Sequence, residues 1–260
     1  MYKKGLILTI LMLGSLAAMA EHSLGLQIGF AEPIYRLNSP LQSLSRTRLD
    51  ATPMDGLKVG VVYDASLIKG FGFSMGLNYT FAYHKTKWKD YEYASDGTSA
   101  ILPFYEYKTE YYYHQGEIFV DWQYKFEIAK KTYIILYTGP TIQCLFDLKA
   151  TDDHRYTGPA AASGQITDFK PSEESYLRTG KDGHVQRLNV TWGIGAGFQY
   201  KRYFLRGGYD FGLINPYGKQ AFSDFGYTDE TRYDGNRLTR GRLDQWQIKL
   251  GVYLWQSDNK

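Results

Sequence analysis

The sequence predicts an all-β fold: an eight-stranded antiparallel up-and-down transmembrane β-barrel. Three observations predict it. Apolar and polar residues alternate in eight segments, which places them on opposite faces of a strand. The connections between these segments are short and long in turn. Finally, the 260-residue chain, with a mean hydropathy of -0.40, is too polar for a bundle of membrane helices, each of which needs about 20 apolar residues.

The first twenty residues have the features of a secretory signal peptide. Two lysines precede the uncharged run 5–16, and Ala18-Met19-Ala20 supplies the small residues that a signal peptidase accepts. The run is shorter than a spanning helix, and polar residues follow at once. No cysteine lies near the cleavage point, which excludes a lipoprotein anchor. We therefore predict a cleaved signal peptide, 1–20, and an outer-membrane β-barrel domain, 21–260.

Charge and cysteine content exclude several classes of function. Loss of the signal peptide leaves 28 of the 30 basic residues against 27 acidic ones, so we expect no binding to nucleic acid. The single Cys144 allows neither an intrachain disulfide nor a cysteine-based metal site. Asp152-Asp153-His154 offers metal-ligating atoms, but three adjacent residues cannot enclose a cation. We expect no metal and no cofactor.

The third segment shows the alternation most clearly. Large apolar residues stand at every odd position from Phe71 to Tyr83, and small or polar ones at every even position from Gly72 to His84. In the fifth segment, Ile142, Cys144, Phe146 and Leu148 share the apolar face. Because proline cannot donate to a ladder, we expect a β-bulge at Gly139-Pro140.

The connections indicate which end of the barrel faces outward. Long connections at 32–55, 85–110, 149–183 and 215–242 alternate with short ones at 65–70, 127–131 and 201–202. An even strand count with short turns at one end and long loops at the other is typical of bacterial outer-membrane barrels. The sequence therefore predicts short periplasmic turns and four long extracellular loops.

A secreted lipocalin-type barrel also has eight strands, so the direction of the apolar face matters. An interior that held Trp122, Trp192, Trp246 and many other rings would be overfilled, because eight strands leave little room inside. The glycine-rich, polar face suits a narrow lumen, and the apolar face suits lipid, with Tyr and Trp near strand ends as interfacial girdles. We therefore expect the apolar face outside.

Eight charged residues fall at inward positions, with signs that nearly balance. They are Lys58, Asp64, Glu117, Asp121, Lys125, Arg206, Asp210 and Lys249. Pairing between neighbours would offset the cost of burying each charge. We interpret them as a polar network that plugs the lumen; the alternative is a gated ion path or proton relay.

Two features of the loops suggest recognition. Arginines cluster in the first and fourth long connections, where forked hydrogen bonds could reach the phosphates of an anionic glycolipid. They are Arg36, Arg46 and Arg48, and Arg232, Arg237, Arg240 and Arg242. The second connection and its flanks are rich in tyrosine, which suits either a binding surface or an extension of the strands. These tyrosines are Tyr91, Tyr93, Tyr105, Tyr107, Tyr111, Tyr112 and Tyr113.

Over about residues 24–255 the chain resembles the small eight-stranded outer-membrane barrels of the OmpA-transmembrane-domain, OmpX and OmpW kind. Two stretches, Tyr133 to Pro140 and Gly193-Ile-Gly-Ala-Gly-Phe198, are more similar to the outer-membrane β-barrel domain proteins of Bacteroidota, a group that includes PorT-like proteins. The resemblance implies envelope, adhesion, solute-passage or secretion roles. Unlike many such chains, this one continues past its last aromatic residue, Trp255, to Lys260.

We therefore predict a monomeric, non-enzymatic barrel of the cell outer membrane, acting in envelope integrity or surface recognition through its loops. Expected partners are outer-membrane lipid and lipopolysaccharide, the barrel assembly machinery, and an extracellular protein or glycan. One alternative is a narrow channel for small or apolar solutes. Another is a lipid-modifying enzyme with His84 or His114 as base, although the His-x-Ser pattern of outer-membrane deacylases is absent there.

Overall fold

The computed structural model describes residues 21–37, 53–68, 70–92, 102–156, 170–171, 179–180, 183, 185–218 and 241–257. The predicted signal peptide lies outside these residues. The described chain forms nine β-strands: β1 (Glu21–Leu37), β2 (Asp55–Ile68), β3 (Phe71–Glu92), β4 (Leu102–Ala129), β5 (Thr132–Tyr156), β6 (Lys170–Pro171), β7 (Leu188–Tyr200), β8 (Tyr203–Gly212) and β9 (Gly241–Gln256).

Eight of these strands close into a ring of antiparallel neighbours. Strands consecutive in sequence pair with one another, β5 pairs with β7, and β9 returns to pair with β1. The two-residue β6 pairs with β5 alone. The predicted all-β, eight-stranded up-and-down barrel is confirmed. Among the described residues, no helix is long and apolar enough to span a bilayer.

The short connections lie where the sequence predicts them. Two-residue turns join β4 to β5 and β7 to β8, and each has a lysine with positive φ: Lys131 at 58° and Lys201 at 54°. Gly70 has a φ of 87° in the turn between β2 and β3, and a Cβ there would meet the Lys125 carbonyl oxygen at 2.3 Å. All three turns lie at one end of the barrel, here called the short-turn end.

At the other end, three strands are much longer than expected. The connection predicted at 85–110 is largely strand, because β3 continues to Glu92 and β4 begins at Leu102. The connection predicted at 149–183 also begins with strand, since β5 continues to Tyr156. The pairing of β3 with β2 ends at Tyr83, and that of β5 with β7 ends at Cys144. Beyond these points β3, β4 and β5 continue to pair with one another, and we call this part the projecting sheet (84–92, 102–112 and 147–156).

The prediction of a β-bulge at Gly139-Pro140 is wrong. The register between β5 and β7 is continuous through Gly139↔Gly193 and Pro140↔Trp192. Gly139 allows β4 to approach closely, since a Cβ there would meet the Val120 carbonyl oxygen at 2.0 Å. The missing donor of Pro140 is thus accommodated without an extra residue.

The bulge in β5 lies at Phe146 instead. His114 of β4 pairs with Asp147, and the next residue, Gln115, pairs with Leu145, so Phe146 is the extra residue. This changes the facing of the described β5 side chains just beyond it. Leu148, expected on the apolar outer face with Ile142, is 1% exposed inside the barrel.

The facing predicted for the rest of the barrel is confirmed. Outward apolar residues are widely exposed on all eight strands, from Leu26 on β1 at 49% to Leu250 on β9 at 56%. Inward neighbours such as Gln27 and Tyr253 are buried. The barrel therefore presents a continuous apolar surface outside and a polar lumen inside. We call the strand residues between the short turns and the projecting sheet the barrel section.

Candidate functional site: the lumen network and the outer rim

Glu117 of β4 is the centre of hydrogen bonding in the lumen. Its Oε2 lies 2.6 Å from Nζ of Lys58 and accepts from Nδ2 of Asn78 at 3.3 Å. Three glutamines donate to its Oε1: Gln115 at 2.7 Å, Gln245 at 3.0 Å and Gln143 at 3.5 Å. Both partners of the ion pair are almost fully buried, so the carboxylate depends on these donors in place of water.

The hydrogen bonds around Glu117 continue to every strand of the barrel. Lys58 also donates to Gln247 at 2.8 Å, and Gln247 donates to Asp210 of β8 at 2.8 Å. Gln27 of β1 donates to Asn78 at 2.6 Å, and Asn189 of β7 donates to Gln143 at 2.7 Å. One connected network, which we call the lumen network, thus contains a side chain from each of the eight barrel strands.

A second buried cluster lies nearer the short-turn end, around Asp64 of β2. Its Oδ2 lies 2.8 Å from Nη2 of Arg206 and 3.2 Å from Nζ of Lys125, and it accepts a hydrogen bond from the Tyr253 hydroxyl. Arg206 also donates to Ser74 at 2.8 Å and Gln123 at 3.0 Å. We call this the Asp64 cluster; side chains from four strands besides its own bind the two terminal nitrogens of the fully buried Arg206 guanidinium.

All eight sequence-predicted lumen charges face the interior. Six belong to the two networks just described. The other two are Asp121, which is buried, and Lys249, whose Nζ lies 4.9 Å from the centre of the Phe119 ring. Within the described part of the chain, neither of these two forms a salt bridge. The amides that join the charges were not singled out in the sequence, although they share the inward parity.

At the end of the barrel opposite the short turns, here called the loop end, Arg36 and Arg242 lie directly opposite each other on β1 and β9. The Nε atoms of both arginines contact Oδ2 of Asp244, at 3.1 and 2.8 Å. Asp244 is at an outward position, yet its side chain is fully buried. The Tyr209 hydroxyl and the Gly212 amide also donate to its carboxylate, at 2.8 and 3.1 Å. The two guanidiniums remain nearly half exposed on the outer surface.

Of the seven predicted phosphate contacts, the structure therefore brings together two. The other five, Arg46, Arg48, Arg232, Arg237 and Arg240, lie outside the described residues. Asp244 was missed by sequence reasoning. The signal available was an acidic residue at an outward position two residues after Arg242, where an apolar residue is expected.

The tyrosine-rich segment divides between two faces. Tyr111 and Tyr113 are buried inside the loop end, in a cluster that also contains Tyr35, Leu148 and Tyr217. Tyr112 faces outward beside Tyr83, with ring centres 5.2 Å apart. Tyr93 lies outside the described residues, as do the side chains of Tyr91, Tyr105 and Tyr107. The reading that the last tyrosines extend the strands is confirmed for residues 111–113.

The two candidate general bases do not share a site. His84 faces inward near Tyr111, and burial lowers its pKa. His114 faces outward, where its Nδ1 forms a 2.6 Å hydrogen bond with the Tyr79 hydroxyl. Among the described residues, no group of three or more His, Cys, Asp or Glu is placed to hold a metal ion.

Comparison with solved structures finds similarity to small β-barrels whose sequence identity to this chain is low. No protein-family model and no curated protein matches the chain. Ail, the attachment invasion locus protein of Yersinia pestis, solved with the heparin analogue sucrose octasulfate, is 9% identical, with 90% of this chain and 97% of Ail covered and a TM-score of 0.32. Neisserial surface protein A is 10% identical, with 90% and 97% covered and a TM-score of 0.34.

The N-terminal β-barrel domain of Pseudomonas aeruginosa OprF is 8% identical, with 88% of this chain and 97% of that domain covered and a TM-score of 0.28. At such identities and TM-scores, the function of this chain has to be derived from its own residues.

Proposed function

We propose that the chain is an integral outer-membrane barrel, with residues 1–20 removed as a signal peptide. The observation that supports it is the continuous apolar outer surface of the barrel section, where large residues on all eight strands are exposed. A soluble protein rarely exposes so large an apolar surface, whereas a bilayer covers it. The short-turn end is then periplasmic and the projecting sheet extracellular.

Fractionation with gel mobility tests this proposal. The protein is expected in the outer-membrane fraction, with a mature N-terminus at Glu21 by mass spectrometry. Unboiled samples should migrate differently from boiled ones, because a closed barrel resists detergent until it is heated. A soluble periplasmic protein without a heat-dependent shift would contradict membrane insertion and favour a lipocalin-like barrel.

The lumen network supports a plugged, non-conducting barrel. Side chains from eight strands meet around Glu117, and the Asp64 cluster fills a second level below them. An eight-stranded barrel has room inside for little more than such side chains. Protein reconstituted in planar bilayers should show no discrete conductance. Regular channel openings, or solute uptake by liposomes, would favour the alternative of a narrow channel.

At the outer rim, the Arg36–Arg242 pair supports contact with the phosphates of lipopolysaccharide. Asp244 holds both guanidiniums through Nε, which leaves their terminal nitrogens on the outer surface as forked donors for a phosphate. The variant carrying Arg36→Gln and Arg242→Gln should retain less lipopolysaccharide on purification. Lys149→Gln, which removes an exposed charge from the projecting sheet, serves as the matched control.

The biological role that fits these surfaces is non-enzymatic, in envelope integrity or in recognition of an extracellular protein or glycan by the loops. The placement of His84 and His114 on opposite faces of the barrel wall supports this over lipid modification. Altered lipid A in cells that overproduce the protein would contradict it. We further propose a monomer that is inserted by the barrel assembly machinery. Membership of the Bacteroidota β-barrel domain family stays a prediction.

A further inference from the structure

The outer surface of the barrel section contains one pronounced groove near the short-turn end. The groove has a volume of about 600 Å³, which is within the range of small-molecule sites. Its walls are the outward side chains of three neighbouring strands: Leu26, Ile28, Val59, Val61, Leu250 and Val252. Gly60 and Gly251 form part of its floor. Valines occupy three of the six wall positions, so the side chains that border the groove are short.

The groove crosses the strands. Its lining runs from β2 through β1 and β9 to Tyr203, the first residue of β8. Four neighbouring strands span about 14 Å at the usual spacing. The groove is therefore elongated and apolar over its whole length, a shape that suits a hydrocarbon chain.

Its β8 end lies beside a pair of cations. Lys201 and Arg202 form the turn before Tyr203, and the Arg202 carbonyl accepts from the Tyr253 amide at 2.8 Å, which fixes the turn against β9. The Lys201 ammonium lies over the Tyr200 ring, 4.9 Å from its centre. Within the described residues, the exposed Arg202 side chain has no ion-pair partner, so its forked donors can bind a phosphate.

We propose that this groove and Arg202 together form a binding site for one anionic phospholipid of the periplasmic leaflet. An acyl chain lies in the groove, and the phosphodiester binds the Arg202 guanidinium at the periplasmic surface. The charge next to the groove selects an anionic headgroup such as phosphatidylglycerol over zwitterionic phosphatidylethanolamine. The site rests on the proposed membrane insertion, because it requires the short-turn end to meet the inner leaflet.

Lipid titration by native mass spectrometry tests the proposal. The full mature barrel, delipidated in mild detergent, is titrated with phosphatidylglycerol and, separately, with phosphatidylethanolamine. Arg202→Gln should weaken binding of phosphatidylglycerol about fivefold, the effect of one cation at the membrane surface, and weaken binding of the zwitterionic phosphatidylethanolamine less. Lys130→Gln, in the β4–β5 turn away from the groove, is the matched control and should bind as the unaltered protein does.

A second pair of variants tests the groove. Val61→Trp fills it and should abolish retention of both lipids, whereas Val120→Trp, at an outward position of β4, should not. Equal effects of Arg202→Gln and Lys130→Gln, equal affinity for the two lipids, or unchanged binding to Val61→Trp would overturn the site. The heat-dependent mobility shift separates the outcomes. Loss of lipid by Val61→Trp with the shift intact supports the site, and retention of lipid with the shift intact rejects the site alone. Absence of the shift in the unaltered protein rejects membrane insertion.

Discussion

The barrel section and the projecting sheet are made from the same strands with opposite arrangements of polarity. In the barrel section of β4, Ile118 and Trp122 face outward and Glu117 faces inward. A few residues earlier on the same strand, Lys108 and Glu110 face outward and Tyr111 and Tyr113 are buried. One section has an apolar outside and a polar inside, and the other has the reverse, as a water-soluble sheet does.

The inversion marks the level at which the surroundings of the strands change. On β4 it occurs at about His114, and on β5 the bulge at Phe146 lies directly beside it. By adding one residue, the bulge turns Leu148 inward and Lys149 outward, which is the arrangement that water requires. The position of the bulge therefore follows from the change of solvent that we propose at this level.

Deletion of Phe146 should cause the largest loss of stability, and this loss should be confined to the projecting sheet. Without the bulge, Leu148 would turn outward and Lys149 inward, so the projecting sheet would lose its packing. We expect a loss of about 5 kcal/mol or more in that section, from exposing one leucine and burying one lysine. Limited proteolysis should then cleave the projecting sheet while the heat-dependent shift of the barrel persists. An unchanged digestion pattern would contradict the assigned register.

Glu117→Gln should cause the next largest loss of stability, in the barrel section. It leaves the Lys58 ammonium buried without its carboxylate, and removal of one partner of a buried ion pair costs about 3 to 5 kcal/mol. The free energy of unfolding from urea titrations in lipid vesicles measures it. The double variant Lys58→Met with Glu117→Gln contains neither charge and should recover most of the loss. A double variant as unstable as the single one would show that the amides, and not the charge, control stability.

Trp192→Lys tests whether the outer surface of the barrel section faces lipid. Trp192 is 38% exposed on the outer face of β7 at mid-strand, and a lysine at the bilayer midplane costs about 2 to 4 kcal/mol. Tyr112→Lys is the matched change on the outer face of the projecting sheet, and we expect it to cost less than about 1 kcal/mol, as surface changes do. Equal losses in the same urea titrations would mean that both sections meet the same solvent.

Glu110→Gln should have the smallest effect. A hydrogen bond from Lys108 holds the pKa of Glu110 below its usual range, with further help from Lys85. The ion pairs lie at the surface and are partly exposed, so the loss at neutral pH is expected to be under about 0.5 kcal/mol. Because the pKa is lowered on folding, this contribution is complete above the ordinary carboxyl pKa and disappears as the pH falls through the folded value. A titration of stability against pH should therefore show the variant and the unaltered protein converging in acid.

Periodicity in the sequence predicts the strands and the facing of their side chains wherever apolar residues face outward and polar residues face inward along the whole strand. In the third segment, Phe71 to Tyr83 follow one alternation and the structure agrees. It fails where the rule inverts. Residues 85–87 and 108–110 still alternate, but with charge outside, and the sequence predicts a loop there. Contacts across the ring, such as Lys58 with Glu117, depend on how the closed barrel is staggered, which no local pattern contains.

The composition of the lumen network has a consequence for the order of assembly. Glu117 takes donors from β2, β3, β4, β5 and β9, and its partner Lys58 donates to Gln247 of β9, so the ion pair has two contacts with the last of the described strands. While the seam between β1 and β9 is open, Gln245 and Gln247 are too far away, and water takes their places beside Glu117 and Lys58. Closure of the seam therefore replaces that water in one step. Pairing of β1 with β9 should be cooperative, and slow because it brings together strands far apart in the sequence.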